Sequence, residues 1–344
     1  SSEAIYGIRA ANGVVLITTR KGKSGKAVVN YNGYVGYQKV TNEVKMADAN
    51  QYATLVNELA QQNGKDPFLD PSQYGKGTDW YHQTLRNALV TNHQLSVSGG
   101  SEKSTYNFSI GYLHQQGLVK TNDFTRYTAR LQNDFQVFEP LKIGYTVTAS
   151  ANKSNDIPNI FHELFSAAPI VPVHYADGAY GDPNDYNLGD GANFNPQATL
   201  DFFDQNTKKQ TVTGSVYADL RFAQHFTFDI RGGGEYGENL IRNYVPVYVA
   251  TLAQRSTNSK LTRETTDTRN WIVENTLTYE NKFKEHNLRV LLGQGAQRYQ
   301  TYKLTATAPD VPNNSEGDLY LKLGSTSGRE VKDEGDLYTV SSYF

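Results

Sequence analysis

The sequence contains no cysteine, a single methionine and only two tryptophans among its 344 residues. Without cysteine, disulfides, thiol catalysis and cysteine-based zinc or iron–sulfur sites are excluded. Long hydrophobic runs are also missing: the mean hydropathy is −0.59, and no window approaches the ~18 uninterrupted apolar residues of a membrane-spanning helix. Charge of one sign is equally scarce, since 33 Lys and Arg face 35 Asp and Glu for a formal net charge of −2. This balance argues against nucleic acid as a partner.

Motifs that would indicate an enzyme are absent from the sequence. The seven histidines are scattered, and none stands in an H-E-x-x-H or comparable ligand spacing. There is no G-x-S-x-G nucleophile elbow. The GGGE at residues 232–235 lacks the lysine and the strand-to-helix context of a phosphate-binding loop. We therefore predict a protein that is not an enzyme and that requires no cofactor.

An aspartate-rich segment, DGAYGDPNDYNLGDG, raises one alternative to that prediction. Oxygen-rich loops can bind calcium, which takes about six to eight oxygen ligands. The segment supplies Asp177, Asp182, Asp185 and Asp190. Their spacing is not that of an EF-hand, and the proline and four glycines of the segment suit an ordinary surface loop equally well. Calcium is therefore kept as a minor alternative, and no other metal is predicted.

Alternation of apolar and polar residues is abundant in this sequence. Between residues 105 and 113, Tyr106, Phe108 and Ile110 fall on one face, whereas small and polar residues fall on the other. Such period-two patterns predict β-strands. Nine segments show the pattern: residues 28–38, 92–99, 105–113, 124–135, 141–150, 211–222, 226–231, 271–279 and 288–302. Several exceed the ~5–6 residues of typical strands in soluble proteins, and we predict an all-β protein.

The predicted connections alternate between short turns and long loops. Short polar turns are predicted at residues 100–104, 138–140, 223–225 and 284–287, and long irregular stretches at 39–91, 152–207, 237–262 and 305–336. Short turns on one edge and long loops on the other are typical of an up-and-down transmembrane barrel. A soluble β-sandwich is the alternative. However, charged residues such as Arg126 and Asp219 on the inward face could not be buried unpaired in a dry core.

Two helices are predicted within the first long loop. A capping box at residues 48–51 precedes apolar residues at helical spacing, and the glycine at position 64 would end that helix. A second, shorter helix is predicted after residue 78. Its apolar positions are Trp80, Leu85, Ala88 and Leu89. Neither helix is long or apolar enough to span a bilayer, so both are interpreted as parts of the loop.

The first 22 residues contain the most specific motif of the chain. The segment AIYGIRAANGVVLITTRKG, residues 4–22, resembles the end of the plug domain in SusC/RagA-type TonB-dependent outer-membrane transporters, with Ile8 where that family usually has serine. The matching signature positions are Tyr6, Gly7, Arg9, Asn12 and Gly13. Further segments resemble the early barrel of the same family, among them GTDW at residues 77–80 and LSVSGGSEKSTYNFSIGYLHQQGLVK at 95–120.

This resemblance implies a fold, a function and partners. Residues 1–26 would be the C-terminal end of a plug domain. Residues 27–344 would be the N-terminal part of a TonB-dependent β-barrel, incomplete because such barrels have about 22 strands. The protein would lie in the bacterial outer membrane, in contact with its lipid, and would import an oligosaccharide or a peptide together with a SusD-like surface lipoprotein. The TonB complex would act through a segment upstream of Ser1, and a soluble or surface β-sandwich that binds glycans is the alternative function.

Two groups of residues are candidates for contacts with cargo or partners. Aromatic side chains in the long loops can stack on sugar rings or pack against a partner protein. The candidates in this group are Trp80, Tyr175, Tyr180 and Phe194. Arginines on the inward face can contact the plug or the substrate, and these are Arg126, Arg130, Arg221 and Arg231. Local loop packing is the alternative for the aromatic residues, and pairing with neighbouring carboxylates is the alternative for the arginines.

Overall fold

One antiparallel sheet of ten long strands dominates the computed structural model, which describes residues 22–188, 194–312 and 319–344. The strands are β1 (Gly25–Gln38), β2 (Ala88–Gly100), β3 (Ser104–Gln116), β4 (Asp123–Phe138), β5 (Leu141–Asn155), β6 (Asp204–Phe222), β7 (Phe226–Val245), β10 (Lys260–Phe283), β11 (His286–Pro309) and β12 (Glu330–Tyr343). A separate pair of two-residue strands, β8 (Tyr248–Val249) and β9 (Arg255–Ser256), lies between β7 and β10.

The ten strands follow an up-and-down order in which each pairs with its neighbours along the chain. Short turns join them at one edge, which we call the short-turn edge, and longer connections join them at the other, the long-loop edge. Within the ranges that the structure describes, the two-residue strands β8 and β9 form the one further sheet, which is too small to be the second layer of a sandwich. The all-β prediction and the arrangement of turns are therefore confirmed, and the β-sandwich alternative is wrong.

The strands are longer and more numerous than the alternation predicted. Strands β10 and β11 contain 24 residues each, and both ends of the stretch 237–262 that we expected to be irregular belong to strands, residues 237–245 to β7 and residues 260–262 to β10. The missed tenth strand, β12, begins with the charged sequence EVKDEGD. Where a strand is polar on both faces, alternation disappears from the sequence although backbone pairing continues.

The first predicted helix is confirmed, whereas the second is shorter than predicted. Helix α1 (Ala49–Gln62) begins with the predicted capping box, in which Asp48 and Gln51 bond each other's backbone. Helix α2 (Trp80–Thr84) begins with Asp79 as its N-cap. It ends before Leu85 because the chain is already extended there and enters β2 three residues later. Helices α3 (Phe161–Ser166) and α4 (Pro196–Asp201) were not predicted, and none of the helices in the described parts has the length and hydropathy to cross a bilayer.

The apolar core of the molecule lies at the long-loop edge. Residues 39–87, the described parts of 156–203 and Val119 of the connection between β3 and β4 pack together into a unit that we call the loop cap. Its buried members are Ala49, Ala53, Trp80, Tyr81, Leu85, Val119, Ile160, Leu164, Ala167, Ala168, Ile170, Val171 and Leu200. A second, smaller cluster of Tyr244, Leu261, Ala308, Val311 and Leu319 lies where β7, β10 and β11 end. The middle of the sheet contributes to neither cluster.

Candidate functional site

One face of the sheet, which we call the apolar face, exposes its large hydrophobic side chains. On β6, Val212 is 46% exposed and Val216 is 59% exposed, and on β11 Leu292 is 62% exposed. The same alternation runs through the other strands, with exposures between 37% and 58% for Phe108, Ile110, Tyr127, Leu131, Val147, Ile230, Tyr236, Trp271 and Val273. Soluble monomers rarely expose contiguous apolar patches beyond a few hundred Å². This face is therefore suited to an apolar surrounding.

The opposite face, the polar face, carries the better covered side chains. Gln132 and Asp134 are each only 6% exposed, although Leu131, which precedes Gln132, is 39% exposed on the apolar face. The carboxylate of Asp134 accepts a hydrogen bond from the hydroxyl of Tyr217, two strands away. This distribution of side chains, with polar residues covered and apolar residues exposed, is the reverse of that in a soluble β-protein. It is typical of a membrane barrel with a polar interior.

The bond between Tyr217 and Asp134 requires a glycine on the strand between them. In the register of β4, β5 and β6, Gly144 lies directly between the two residues. A Cβ at position 144 would lie 2.4 Å from Cε1 of Tyr217 and 2.5 Å from Oδ1 of Asp134. Any side chain there would therefore separate the hydroxyl from the carboxylate.

Gly144→Ala is expected to lower the free energy of unfolding of the receptor by about 1–2 kcal/mol, because covered Asp134 loses its hydrogen-bond donor. Urea unfolding of the receptor in lipid vesicles, followed by tryptophan fluorescence, measures this change. Gly214→Ala is the matched control, since no atom lies within 4 Å of the added methyl group. Equal stability of the two variants would contradict the role assigned to Gly144.

All four predicted arginines lie on the polar face by strand alternation, yet they do not form one cluster. They are Arg126 and Arg130 on β4, Arg221 on β6 and Arg231 on β7. The guanidinium carbon of Arg126 lies 5.0 Å from the ring centroid of Phe124. In register, Arg231 lies between Tyr217 on β6 and Glu274 on β10. The structure thus places a carboxylate directly opposite one of these cations.

Trp80 is a packing residue of the loop cap in this structure. Its side chain is 4% exposed, and its indole N–H donates to the backbone oxygen of Ala168 at 3.0 Å. Gln83, one turn further along, bonds Gln197 at 2.9 Å. These contacts join the two loops that form the cap and leave the Trp80 ring covered. Of the four aromatic candidates, this one has the environment expected for local loop packing.

The other three aromatic candidates lie nearer the surface of the loop cap. Phe194 is 41% exposed. The hydroxyl of Tyr175 donates to Asp185 at 2.7 Å, and that of Tyr180 donates to Asp201 at 2.9 Å. Burial, together with the bond to Asp201, raises the pKa of Tyr180 to about 12. Burial and the bond to Asp185 likewise raise the pKa of Tyr175. Both hydroxyls are therefore protonated at neutral pH.

Tyr180 belongs to a line of aromatic rings that crosses from the loop cap to the connection between β7 and β10. Its ring centroid lies 4.6 Å from His174 and 5.7 Å from Phe202. Phe202 in turn stacks on Tyr248 with 4.0 Å between centroids. Planar rings of this kind offer surfaces on which a sugar ring or an aromatic side chain can stack.

A buried amide pair that the sequence did not indicate fixes the same junction. The backbone N–H of Asn195 donates to Oε1 of Gln254 at 2.6 Å, and Nε2 of Gln254 donates to the backbone oxygen of Asn195 at 3.1 Å. Gln254 also bonds the hydroxyl of Thr199 at 2.7 Å. Asn195 is fully buried and Gln254 is 6% exposed. The connection 246–259 is therefore held against the loop cap.

The described members of the aspartate-rich segment bond protein groups, Asp177 and Asp185 within their own loop and Asp182 in the connection between β7 and β10. Asp177 accepts from the N–H of Ala179 at 3.0 Å, and Asp182 accepts from the N–H of Leu252 at 2.7 Å. Asp185 accepts from Tyr175, as described above, and Asp190 lies outside the described residues. Across the described ranges, no group of three or more His, Asp or Glu side chains is placed to hold a metal ion.

The plug signature also lies outside the described residues, because these begin at residue 22. Tyr6, Gly7, Arg9, Asn12 and Gly13 therefore keep the status of a sequence motif. The predicted boundary between plug and barrel at residues 26 and 27 falls within the first residues of β1, which starts at Gly25. The division into two domains remains a prediction.

Two curated relatives of this chain are both TonB-dependent receptors. No protein-family model matches the chain. The chain is 31% identical over 274 residues to TonB-dependent receptor SusC of Bacteroides thetaiotaomicron, which covers 72% of this chain and 26% of SusC. It is 28% identical over 338 residues to TonB-dependent receptor P3 of Formosa agariphila, covering 95% of this chain and 32% of that protein.

Solved structures agree in fold. A chain of the RagAB peptide importer in its 'closed-closed' state superimposes with a TM-score of 0.82 at 18% identity, covering 98% of this chain and 42% of that one. The chain thus spans about a third or less of the length of these curated relatives. Over that span, the sequence matches and the barrel-type sheet identify the chain as a member of the SusC/RagA-type TonB-dependent receptors.

Proposed function

We propose that the chain forms part of an outer-membrane importer that takes up a bulky nutrient, an oligosaccharide or a peptide, at the expense of energy delivered through TonB. The main support for this proposal is that the sheet exposes its apolar side chains and covers its polar ones. Val216 and Leu292 are exposed on one face, whereas Gln132 and Asp134 are covered on the other. A wide barrel needs an apolar outer surface and a polar interior through which a hydrophilic cargo can pass.

The proposal requires further strands beside the ten described. Among the described residues, β1 pairs only with β2 and β12 pairs only with β11. Unpaired backbone groups within hydrocarbon are disfavoured by several kcal/mol each. In a membrane, both edges must therefore be covered by strands that close the barrel around the plug.

Relatives support the choice of cargo and partner. SusC is a TonB-dependent receptor, and RagAB is described as a peptide importer. By analogy, a SusD-like lipoprotein would cover the loop cap from outside the cell and help to capture the cargo. Tyr175, Tyr180 and Phe194 on the cap are the residues that we propose contact the cargo or this lipoprotein.

Two measurements test the proposal. In SDS gels of purified outer membranes, the unboiled receptor is expected to migrate differently from the boiled one, because a closed barrel resists SDS until it is heated. Growth of the bacterium on candidate oligosaccharides and peptides is expected to fail on the cargo when either the receptor or TonB is inactivated. A soluble protein whose migration does not depend on heating would refute the membrane placement. Growth that survives loss of TonB would refute energised import.

A further inference from the structure

Two lysines face each other across β5 and β6 on the apolar face. Lys153 pairs in register with Lys208, and both side chains are exposed. Towards the short-turn edge, only Gln210 separates Lys208 from exposed Val212 on this face. On β4, Tyr127 is 58% exposed and lies one outward position below the row of these lysines. Exposed aromatic residues at the limit of an apolar band mark the level of lipid headgroups.

The two ammonium groups lack a carboxylate partner in the described parts of the chain. The ion pair on this side of the sheet joins Arg242 to Asp204, and neither Lys153 nor Lys208 takes part in it. Like charges directly opposite each other on neighbouring strands destabilise a sheet. An anion from outside the chain, held between the two lysines, would remove that repulsion.

Hydrogen-bond donors lie beside the lysines on the same face. A cavity of about 450 Å³ next to Lys153 is lined by Asn155, Asn206 and Arg242, and also by the carboxylates of Asp156 and Asp204, the second of which is paired with Arg242. Asn155, Asn206 and Arg242 alternate onto the same face as the two lysines. Opposite residues of an antiparallel pair have Cβ atoms about 5 Å apart. Two lysines so placed can therefore donate to one phosphate from both sides.

We infer that Lys153 and Lys208 bind a phosphate group in the headgroup of an outer-leaflet lipid. This inference rests on the proposed outer-membrane placement, since it assigns the apolar band below the lysines to the acyl chains. A phosphorylated lipid fits both parts of the surface, because its chains cover Val212 and its phosphate meets the ammonium groups. The pair would then fix the height and rotation of the barrel in the membrane.

The test compares lipid binding by the receptor and two double variants, purified in detergent and examined by native mass spectrometry. Lipid A with both phosphates is the probe, and dephosphorylated lipid A is the control ligand. Lys153→Gln/Lys208→Gln is expected to weaken binding of the phosphorylated lipid by roughly tenfold or more. Lys282→Gln/Lys284→Gln removes the same charge from exposed positions at the short-turn edge and is expected to bind like the unchanged receptor.

Three results would overturn the inference. One is equal binding of lipid A by both double variants, and another is displacement of the lipid by millimolar inorganic phosphate, which would indicate a site for the free ion. The third is unchanged lipid binding combined with loss of the co-purifying surface lipoprotein, which would assign the lysines to that partner. Heat-dependent migration in SDS gels is measured for each variant. Failure of the barrel itself is thereby distinguished from failure of the lipid site.

Discussion

Val216→Arg is expected to lower the free energy of unfolding of the receptor in lipid vesicles by about 2–4 kcal/mol, as charged residues do at the middle of a membrane-facing strand. Val216 is 59% exposed near the centre of the apolar stretch of β6 that extends from Val212 to Phe222. An arginine there would have to leave water for hydrocarbon during insertion. Unfolding in urea and the amount of receptor assembled in cells both report this change.

The same substitution separates a membrane face from a soluble surface. If the apolar face lay in water, replacing a 59% exposed valine would change stability by no more than about 0.5 kcal/mol. Thr213→Arg provides the matched control, because Thr213 is exposed on the same strand but alternates onto the polar face. We expect that control to assemble normally. Equal behaviour of the two variants would contradict the assignment of the faces.

The architecture of the sheet could be predicted because period-two alternation reports which side of a strand meets an apolar surrounding. In the segment 105–113, the alternation predicts that Phe108 and Ile110 share one face, and both are exposed on the apolar face. The alternation alone does not say whether such a face is a dry core or a lipid contact. Charged residues on the other face supplied that distinction, since they could not be buried unpaired.

The missed parts depend on contacts that the local sequence does not encode. Strand β12 begins with charges on both faces and is recognised only because its backbone pairs with β11. Asn195 and Gln254 are 59 positions apart, and neither residue stands in a motif. Their pairing follows from the way in which the loops pack, and short helices such as α3 and α4 depend on the same packing.

The sequence proposes aromatic residues of the long loops as contact residues, but it does not show which of them are exposed. Exposed Phe194 and covered Trp80 looked equivalent in the sequence, because aromatic residues in long loops serve both as surface contacts and as core. What distinguishes them is the second loop that lies over Trp80. For the arginines, by contrast, the alternation of strand residues is sufficient to assign all four side chains to the polar face.

Trp80→Ala is expected to destabilise the loop cap by about 3–5 kcal/mol, the range for removal of a buried aromatic side chain. The indole fills the space between the two loops and bonds the backbone of Ala168, so its loss removes both packing and a hydrogen bond. Hydrogen exchange of helices α1 and α3 measures the effect. We expect faster exchange there and unchanged exchange in β10 and β11, because the buried cluster around Trp80 contains no residue of those strands.

Two further variants serve as controls for Trp80→Ala, one for the loss of an aromatic side chain and one for the loss of the hydrogen bond alone. Phe161→Ala alters an exposed aromatic side chain of the same cap and is expected to leave exchange unchanged. Trp80→Phe keeps most of the buried ring but loses the bond to Ala168, which predicts a loss of about 1 kcal/mol. If Trp80→Ala also accelerated exchange throughout the sheet, cap and barrel would unfold together. If it affected the cap alone, the long loops would form a separate cooperative unit, able to rearrange around cargo while the barrel stays intact in the membrane.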